Sequence, residues 1–493
     1  MVKAVVGDEA QLSSAEERIS RSGLTSQVGL VIGKLSTKLD RGFIYDLIPT
    51  PQNDAGDPAC SLLGGTSRDD KKKGSKSKTQ PADSPALSID NDWVAEHARQ
   101  VSRMLVGGVK VIGVYVWVSD SAFKNSTITL CQVLMTLKVV ADAAPVVDAD
   151  VDERLLVHIC YSPRRWTCRN FSLSSSITSS SLRPCDFKMG KVLSNLQAFR
   201  CTYDFELRLP VEKDSSTSAS TLSMMLRRGI LSHANDLKAA KALVDGNLVV
   251  NEEPCRTDFE PHQVELLLPF MKAASVEACS QKDVIGLAVL HGSVCSYAYS
   301  NTKEPASQAV ADIKDDLIRS LQSRLDLICE ADEDIDVVED GGRKDNQAPS
   351  DEKPVSRRVL HSVRNNCSLS FPRRVFVPWL AGTFICDYLQ PSETLEVVKD
   401  HCVEFMSMET PPDISTILEP EAEAPLLISN SFWDAAVRGH SVSTLPFGEN
   451  REPNAEVVAS INRSGKPFNL NAIAAVFILL LSVLAGFLFV KRQ

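Results

Sequence analysis

Leu470 to Val490, LNAIAAVFILLLSVLAGFLFV, is a run of 21 residues without one charge. At about 1.5 Å of rise per residue a helix of that length covers roughly 31 Å, the thickness of a bilayer's hydrocarbon core. The run is apolar all round, which leaves a membrane span or a buried core helix, and its flanks favour the span. Polar residues, NREPNAEVVASINRSGKPFN, precede it and only KRQ follows. The segment is therefore expected to be a single C-terminal transmembrane helix, with the lipid bilayer as its partner. The opening stretch MVKAVVGDEAQLSSAEERIS lacks the apolar region of a signal peptide. The expectation is a tail-anchored chain whose body stays in the cytosol. Flanking charge leaves orientation undecided, because Arg463 and Lys466 on one side balance Lys491 and Arg492 on the other. The length of the run favours the endoplasmic reticulum, and the basic tail leaves the mitochondrial outer membrane as the alternative.

The remaining chain has the composition of a folded protein, with 43% hydrophobic against 24% charged residues among 493. A net charge of −10 gives no basic face for phosphate, so nucleic acid is not an expected partner. Thirteen scattered cysteines without a C-x-x-C fit reduced cytosolic thiols and spell out neither a zinc ribbon nor a redox motif. No P-loop or G-x-G-x-x-G is present, and no cofactor is expected.

Hydrophobic periodicity predicts an α/β (α+β) body in two parts. In residues 1–213, GLTSQVGLVIGKLS and GFIYDLIPTP read as strands around a polar turn, followed by an Asp-, Pro-, Gly-, Ser- and Lys-rich insert over 52–88 that is expected to be disordered. Its basic run KKKGSKSK reads as a solvated loop, with a nuclear address or a lipid-facing surface as alternatives. DNDWVAEHARQVSRMLVGG carries helix chemistry with Asp92 as N-cap and Gly107 and Gly108 as the stop. VKVIGVYVWVS is β-branched and aromatic with little alternation, as a strand buried on both faces would be. A helix over Ser126 to Ala143 follows, and the strands RLLVHICYS, RWTCRNFSL and FRCTYDFELRLPV complete the unit near Val211. A second α/β region is expected over 220–329 and continues over 357–410. Between them Glu330 to Asp340 holds seven carboxylates and no base, which predicts a solvated acidic linker over 330–356. FPRRVFVPWLAGTFICDYLQPSET reads either as core or as an interface patch rich in aromatics and arginine. Residues 411–467 are expected to be a flexible tether.

One spacing carries chemistry. A zinc-dependent isopeptidase can place Glu-x-x-Gly on an early strand and His-x-His-x7-Ser-x2-Asp at a strand-to-helix junction, with two imidazoles and a carboxylate on zinc and the Glu as general base. Here SQVG puts Ser26 where the Glu would be, Val116 and Val118 stand for the histidines, Ser126 matches, and Thr129 replaces the Asp. Valine offers a metal no lone pair. The pattern resembles the MPN fold of the proteasome-lid and signalosome metalloproteases in a degenerate form, which implies an MPN-like N-terminal domain, no catalytic residue, no bound metal and no enzyme activity. The pairs His158/Cys160 and His291/Cys295 also combine a nucleophile with a base, but nothing in the sequence orients either imidazole.

A second resemblance spans most of the chain. GLVIGKL, VIGVYV, the FPRRVFVPWLAGTFICDYLQPSET block and the C-terminal apolar run are similar to the odr-four-like family. That resemblance implies a tail-anchored protein of the endoplasmic reticulum that recruits the cysteine protease of the ufmylation pathway. It also implies delivery of some G-protein-coupled receptors, so membrane-protein clients are the alternative partners.

Overall fold

The computed structural model describes residues 2–36, 38–63, 85–142, 153–174, 176–178, 180–212, 222–250, 253–255, 261–268, 284–340 and 367–431, all within one compact unit, Met1–His440. The expected transmembrane helix at 470–490, the KKKGSKSK run and most of the tether lie outside the described residues. Among the described residues no helix is long and apolar enough to cross a membrane.

The first part contains β1 (Ala4–Asp8), α1 (Glu9–Arg21), β2 (Gln27–Ser36), β3 (Arg41–Pro49), β4 (Cys60–Leu63), β5 (Ala86–Ile89), α2 (Asn91–Met104), β6 (Lys110–Trp117), α3 (Asp120–Asn125), α4 (Thr127–Asp142), β7 (Glu153–Tyr161), β8 (Arg164–Ser172) and β9 (Arg183–Gly190). Seven of its strands close into a barrel in the order β1-β3-β2-β6-β7-β8-β9, with β9 returning in parallel to β1. β6 is buried on both faces, as its composition predicts. Tyr115 and Trp117 pack with Leu12, Ala15 and Ile19 of α1, while Val114 and Val116 pack with Val94 and Val101 of α2 and Leu130 and Leu134 of α4. Each fully buried Leu or Ile contributes roughly 1.5–3 kcal/mol of transfer free energy. The period-2 alternation of β6 therefore holds helices on both sides of the sheet.

Local chemistry sets the element ends. α2 is capped by Asp90, whose carboxylate accepts from Trp93 N at 3.0 Å, so the cap lies two residues before the expected Asp92. Asp92 falls in the first turn, where its charge favours the positive end of the helix. The helix expected over Ser126 to Ala143 is α4, and a short α3 precedes it, capped by Ser119 through Ala122 N and closed by Ser126. The insert is ordered at both ends: β4 and β5 pair from Cys60↔Ile89 to Leu63↔Ala86. Ser126 Oγ accepts from Leu87 N at 2.6 Å and pins β5 to the helix junction.

The second part contains β10 (Leu196–Glu212), α5 (Leu222–Ala239), β11 (Lys241–Val244), β12 (Asn247–Leu248), β13 (His262–Leu267), β14 (Val284–Asn301), α6 (Ala306–Asp340), β15 (Cys367–Ser370), β16 (Arg373–Pro378), β17 (Phe384–Leu389), α7 (Leu395–Glu404) and β18 (Leu426–Ser431). Its sheet runs β12-β11-β13-β10-β14-β18-β15. FRCTYDFELRLPV, expected to complete the first unit, lies in β10 and pairs instead with β14 from Leu196↔Asn301 to Glu212↔Val284. Leu226, Ile230 and Leu237 of α5 and Ile313, Leu317 and Leu321 of α6 cover the apolar face of this sheet.

Two expected linkers are structured where described. The acidic run from Glu330 continues α6 to Asp340, and its start is anchored because Glu330 accepts from Arg99 at 2.8 Å and Arg103 at 3.0 Å of α2. The start of the expected tether folds back as β18 between β14 and β15, with Glu421 fully buried just before it.

The FPRR block is core. It forms the β16–β17 hairpin, in which Val375, Phe376, Val377, Ile385 and Cys386 are fully buried. Arg374 is buried with them. Its guanidinium grips Asp316 of α6 with two bonds of 2.6 and 3.0 Å, and donates to the Cys295 carbonyl of β14 at 3.3 Å. Arg324 of α6 donates to Glu421 at 2.6 Å, and Glu421 accepts in turn from Arg374 N at 2.8 Å and Cys295 N at 3.1 Å. Removing one partner of such a pair leaves a buried charge alone, at a cost of about 3–5 kcal/mol. Arg374→Met should lower the unfolding free energy in urea by about that much, and adding Asp316→Leu should restore most of it. A single variant with near-wild-type stability would contradict the assignment.

Candidate functional site

Of the four degenerate positions, Ser26, Val116 and Val118 meet where β2 pairs with β6, and Thr129 lies at the start of α4. β2 and β6 pair antiparallel through Val28↔Val116 and Gln27↔Trp117, which sets Ser26 opposite Val118 one step further on. Val116 and Val118 are fully buried on one face of the strand, in one apolar cluster with Val28, Ala122, Leu130, Cys131 and Leu134. Thr129 is half-buried in the first turn of α4. Ser26 is buried too, and its hydroxyl hydrogen-bonds the Cys60 thiol of β4. Burial pushes that thiol up to about 11, with the Ser26 bond acting in the opposite direction.

At Val116 and Val118 the chain offers no metal-binding side-chain atom. Where two imidazoles would face a metal, two isopropyl groups face leucines, and the serine in place of the general base is engaged with a protonated thiol. A divalent ion there would lose its hydration to hydrocarbon and gain no ligand. The matching Ser126 serves the scaffold through Leu87 N.

The two Cys/His pairs fare differently. His291 and Cys295 are four residues apart in β14, roughly 13 Å along an extended strand, and form no pair. His158 and Cys160 lie on one face of β7 beside the degenerate site: His158 stands opposite Val116 in the parallel β6–β7 register, and its Nε2 donates to the Val118 carbonyl at 3.0 Å. Its ring stacks on Phe123 with centroids 4.1 Å apart. Asp120, the first residue of α3, approaches the same histidine at 3.9 Å. Sequence spacing gave no signal for Asp120, because a crossover of some forty residues separates it from its neighbours.

A cavity of about 240 Å³ lies between α2, α6 and the β16–β17 hairpin, lined among others by Arg103, Leu327, Glu330, Tyr388, His401 and Phe405. His401 Nδ1 donates to Asp387 at 2.8 Å, and that bond raises the histidine above its ordinary value although burial opposes it. His97 of α2 donates from Nε2 to the Phe405 carbonyl at 2.9 Å, and burial holds this histidine below its ordinary value.

The profile of the odorant response abnormal 4-like (ODR4-like) family matches residues 29–417. Among curated proteins, the human protein odr-4 homolog is 27% identical over 346 residues, covering 65% of this chain and 69% of that protein. The Dictyostelium discoideum protein odr-4 homolog is 24% identical over 401 residues, 79% of this chain and 77% of that protein. Among solved structures, UfSP from C. elegans aligns over 85% of this chain and 60% of that one, at 8% identity and a TM-score of 0.39.

Because the valine pair is packed into hydrocarbon, rebuilding the metal ligands should harm the fold. Val116→His should lower the unfolding free energy by about 2–4 kcal/mol, from overpacking and from an imidazole without partners. Equilibrium unfolding in urea reads this directly. A Val116→His/Val118→His variant of unchanged stability would mean that the site retains room for a metal.

Proposed function

The chain belongs to the ODR4-like family, and from that premise we propose that it is a non-catalytic adaptor, tethered to the endoplasmic reticulum membrane by residues 470–490, that recruits the cysteine protease of the ufmylation pathway. In this reading the β-barrel is an MPN-like domain that has kept its packing and lost its chemistry. The observation that carries it is the buried pair Val116 and Val118: the positions that would bind zinc contribute to the core that holds α2 and α4 on the sheet. Such a domain serves as a docking body. Holding a soluble enzyme at a membrane raises its local concentration there without any new catalytic group. Thiol usage supports a cytosolic body, since Cys131, Cys160 and Cys402 stand in no disulfide.

The second reading, escort of G-protein-coupled receptors or other membrane-protein clients, uses the same anchor and differs in what the body must touch. A pull-down with a chain lacking residues 470–490 separates the two. Recruitment through the folded body predicts that the protease is still captured by the truncated chain, that the truncated chain is released to the cytosol, and that the purified protein cleaves no isopeptide bond. Capture that needs the anchor and the client's own spans would favour the escort reading, and isopeptide cleavage abolished by substitution at the β2–β6 edge would overturn both.

A further inference from the structure

Asp120, His158 and Cys160 present one ligand atom each, all within 4.8 Å of one another, and we propose that they form a zinc site at the junction between β6 and α3, distinct from the four degenerate positions. His158 is the centre of it. The Val118 carbonyl opposite Nε2 can only accept, so the ring proton sits on Nε2 and the lone pair on Nδ1. A histidine on a metal characteristically hands its other N–H to a backbone carbonyl or a carboxylate, which fixes ring and tautomer. That orienting bond is in place here, and the freed nitrogen faces Asp120 Oδ1 at 3.9 Å.

The separation itself discriminates between two accounts. At 3.9 Å the imidazole and the carboxylate are too far apart for a hydrogen bond. They are close to the span of two ligands on one tetrahedral zinc, roughly 3.3–3.8 Å from metal–ligand distances near 2.0–2.3 Å. A movement of about half an ångström by Asp120, at the half-exposed start of α3, brings its carboxylate within that span of His158.

The mixed N, O and S donor set suits zinc better than magnesium or calcium, which prefer oxygen alone. Zinc would deprotonate Cys160, whose thiol otherwise donates to the Ser162 carbonyl at 3.4 Å. The thiolate and Asp120 together then balance the charge of the ion. Asp120 must also leave Arg165, which holds its two oxygens at 2.9 and 2.8 Å. That arginine is 55% exposed, and an exposed ion pair is worth at most about 1 kcal/mol. Asp120 is the one ligand open to solvent, so the fourth position faces outward, available to a water or to a side chain from a docked partner.

The test uses the full-length chain stripped with a chelator and titrated with cobalt(II) as a spectroscopic stand-in and then with zinc alone. One metal per chain is expected, with a thiolate-to-cobalt absorption band that disappears in Cys160→Ser. Asp120→Asn changes a half-exposed residue and leaves the core untouched, so it decides the matter if the cysteine variant does not fold; it should weaken metal affinity by at least about tenfold. Asp245, Cys255 and His262 form the other cluster of suitable ligands among the described residues, and Cys255→Ser should leave the band unchanged. No uptake, a band that survives Cys160→Ser, an affinity indifferent to Asp120→Asn, or a band lost with Cys255→Ser would each overturn the proposal.

Discussion

The Arg374–Asp316 pair is the interaction on which the rest of the described structure depends. A guanidinium with almost no exposed surface has no water to solvate it, so every element that donates an acceptor to it is held in position. Asp316 comes from α6, the Cys295 carbonyl from β14, and Arg374 itself from the β16–β17 hairpin. Ser296 adds a bond of 2.7 Å to the same carboxylate. Against a well-packed apolar replacement such a pair contributes little net stability. Its effect is to allow one arrangement of helix, sheet and hairpin and to penalise the others.

That arrangement welds the barrel to the second sheet. The hairpin shares a single apolar cluster with α2 and α4 on the barrel side and with Tyr297 and Tyr299 of β14 on the other. Just past the C-terminal end of β14, Lys34 of β2 is buried between Glu304 and Asp312, at 3.1 and 2.6 Å. Burial alone would lower that lysine's pKa, but the two carboxylates outweigh it and hold the amine charged. Between these points the turn after α2 runs against β14: Gly107 N donates to Tyr297 O at 2.9 Å, and a Cβ on Gly107 would lie 2.8 Å from that oxygen. Gly108 adopts φ +82°, a conformation open to glycine. The glycine pair that reads as a helix stop in sequence also lets two sheets touch.

What the sequence revealed and what it concealed divide along the range of the interactions involved. Buried strands such as β2, β3 and β6 are legible because continuous apolar runs and β-branching are local properties. The membership of β10 is not, since its partner β14 is some ninety residues away and nothing in FRCTYDFELRLPV names it. Glu330 looked solvated because its neighbours in sequence are acidic, whereas Arg99 and Arg103 reach it from α2. Glu421 sits in a Pro- and Glu-rich stretch with the composition of a tether, and its burial follows from Arg324, ninety-seven residues earlier. At the candidate site the motif spacing located Ser26, Val116, Val118 and Thr129. Only the parallel β6–β7 register brings His158 beside them, and only the β6–α3 turn adds Asp120.

The proposed adaptor role needs the barrel and the second sheet to stay together as one body. Hydrogen exchange of the full-length chain at increasing urea, read on peptides from β6 and β14, tests it most directly. If the buried ion pairs and the shared hairpin core weld the two sheets, both strands should lose protection at the same denaturant concentration, as one cooperative unit. Loss of protection in β6 well before β14, or the reverse, would show two independently unfolding domains and contradict the account.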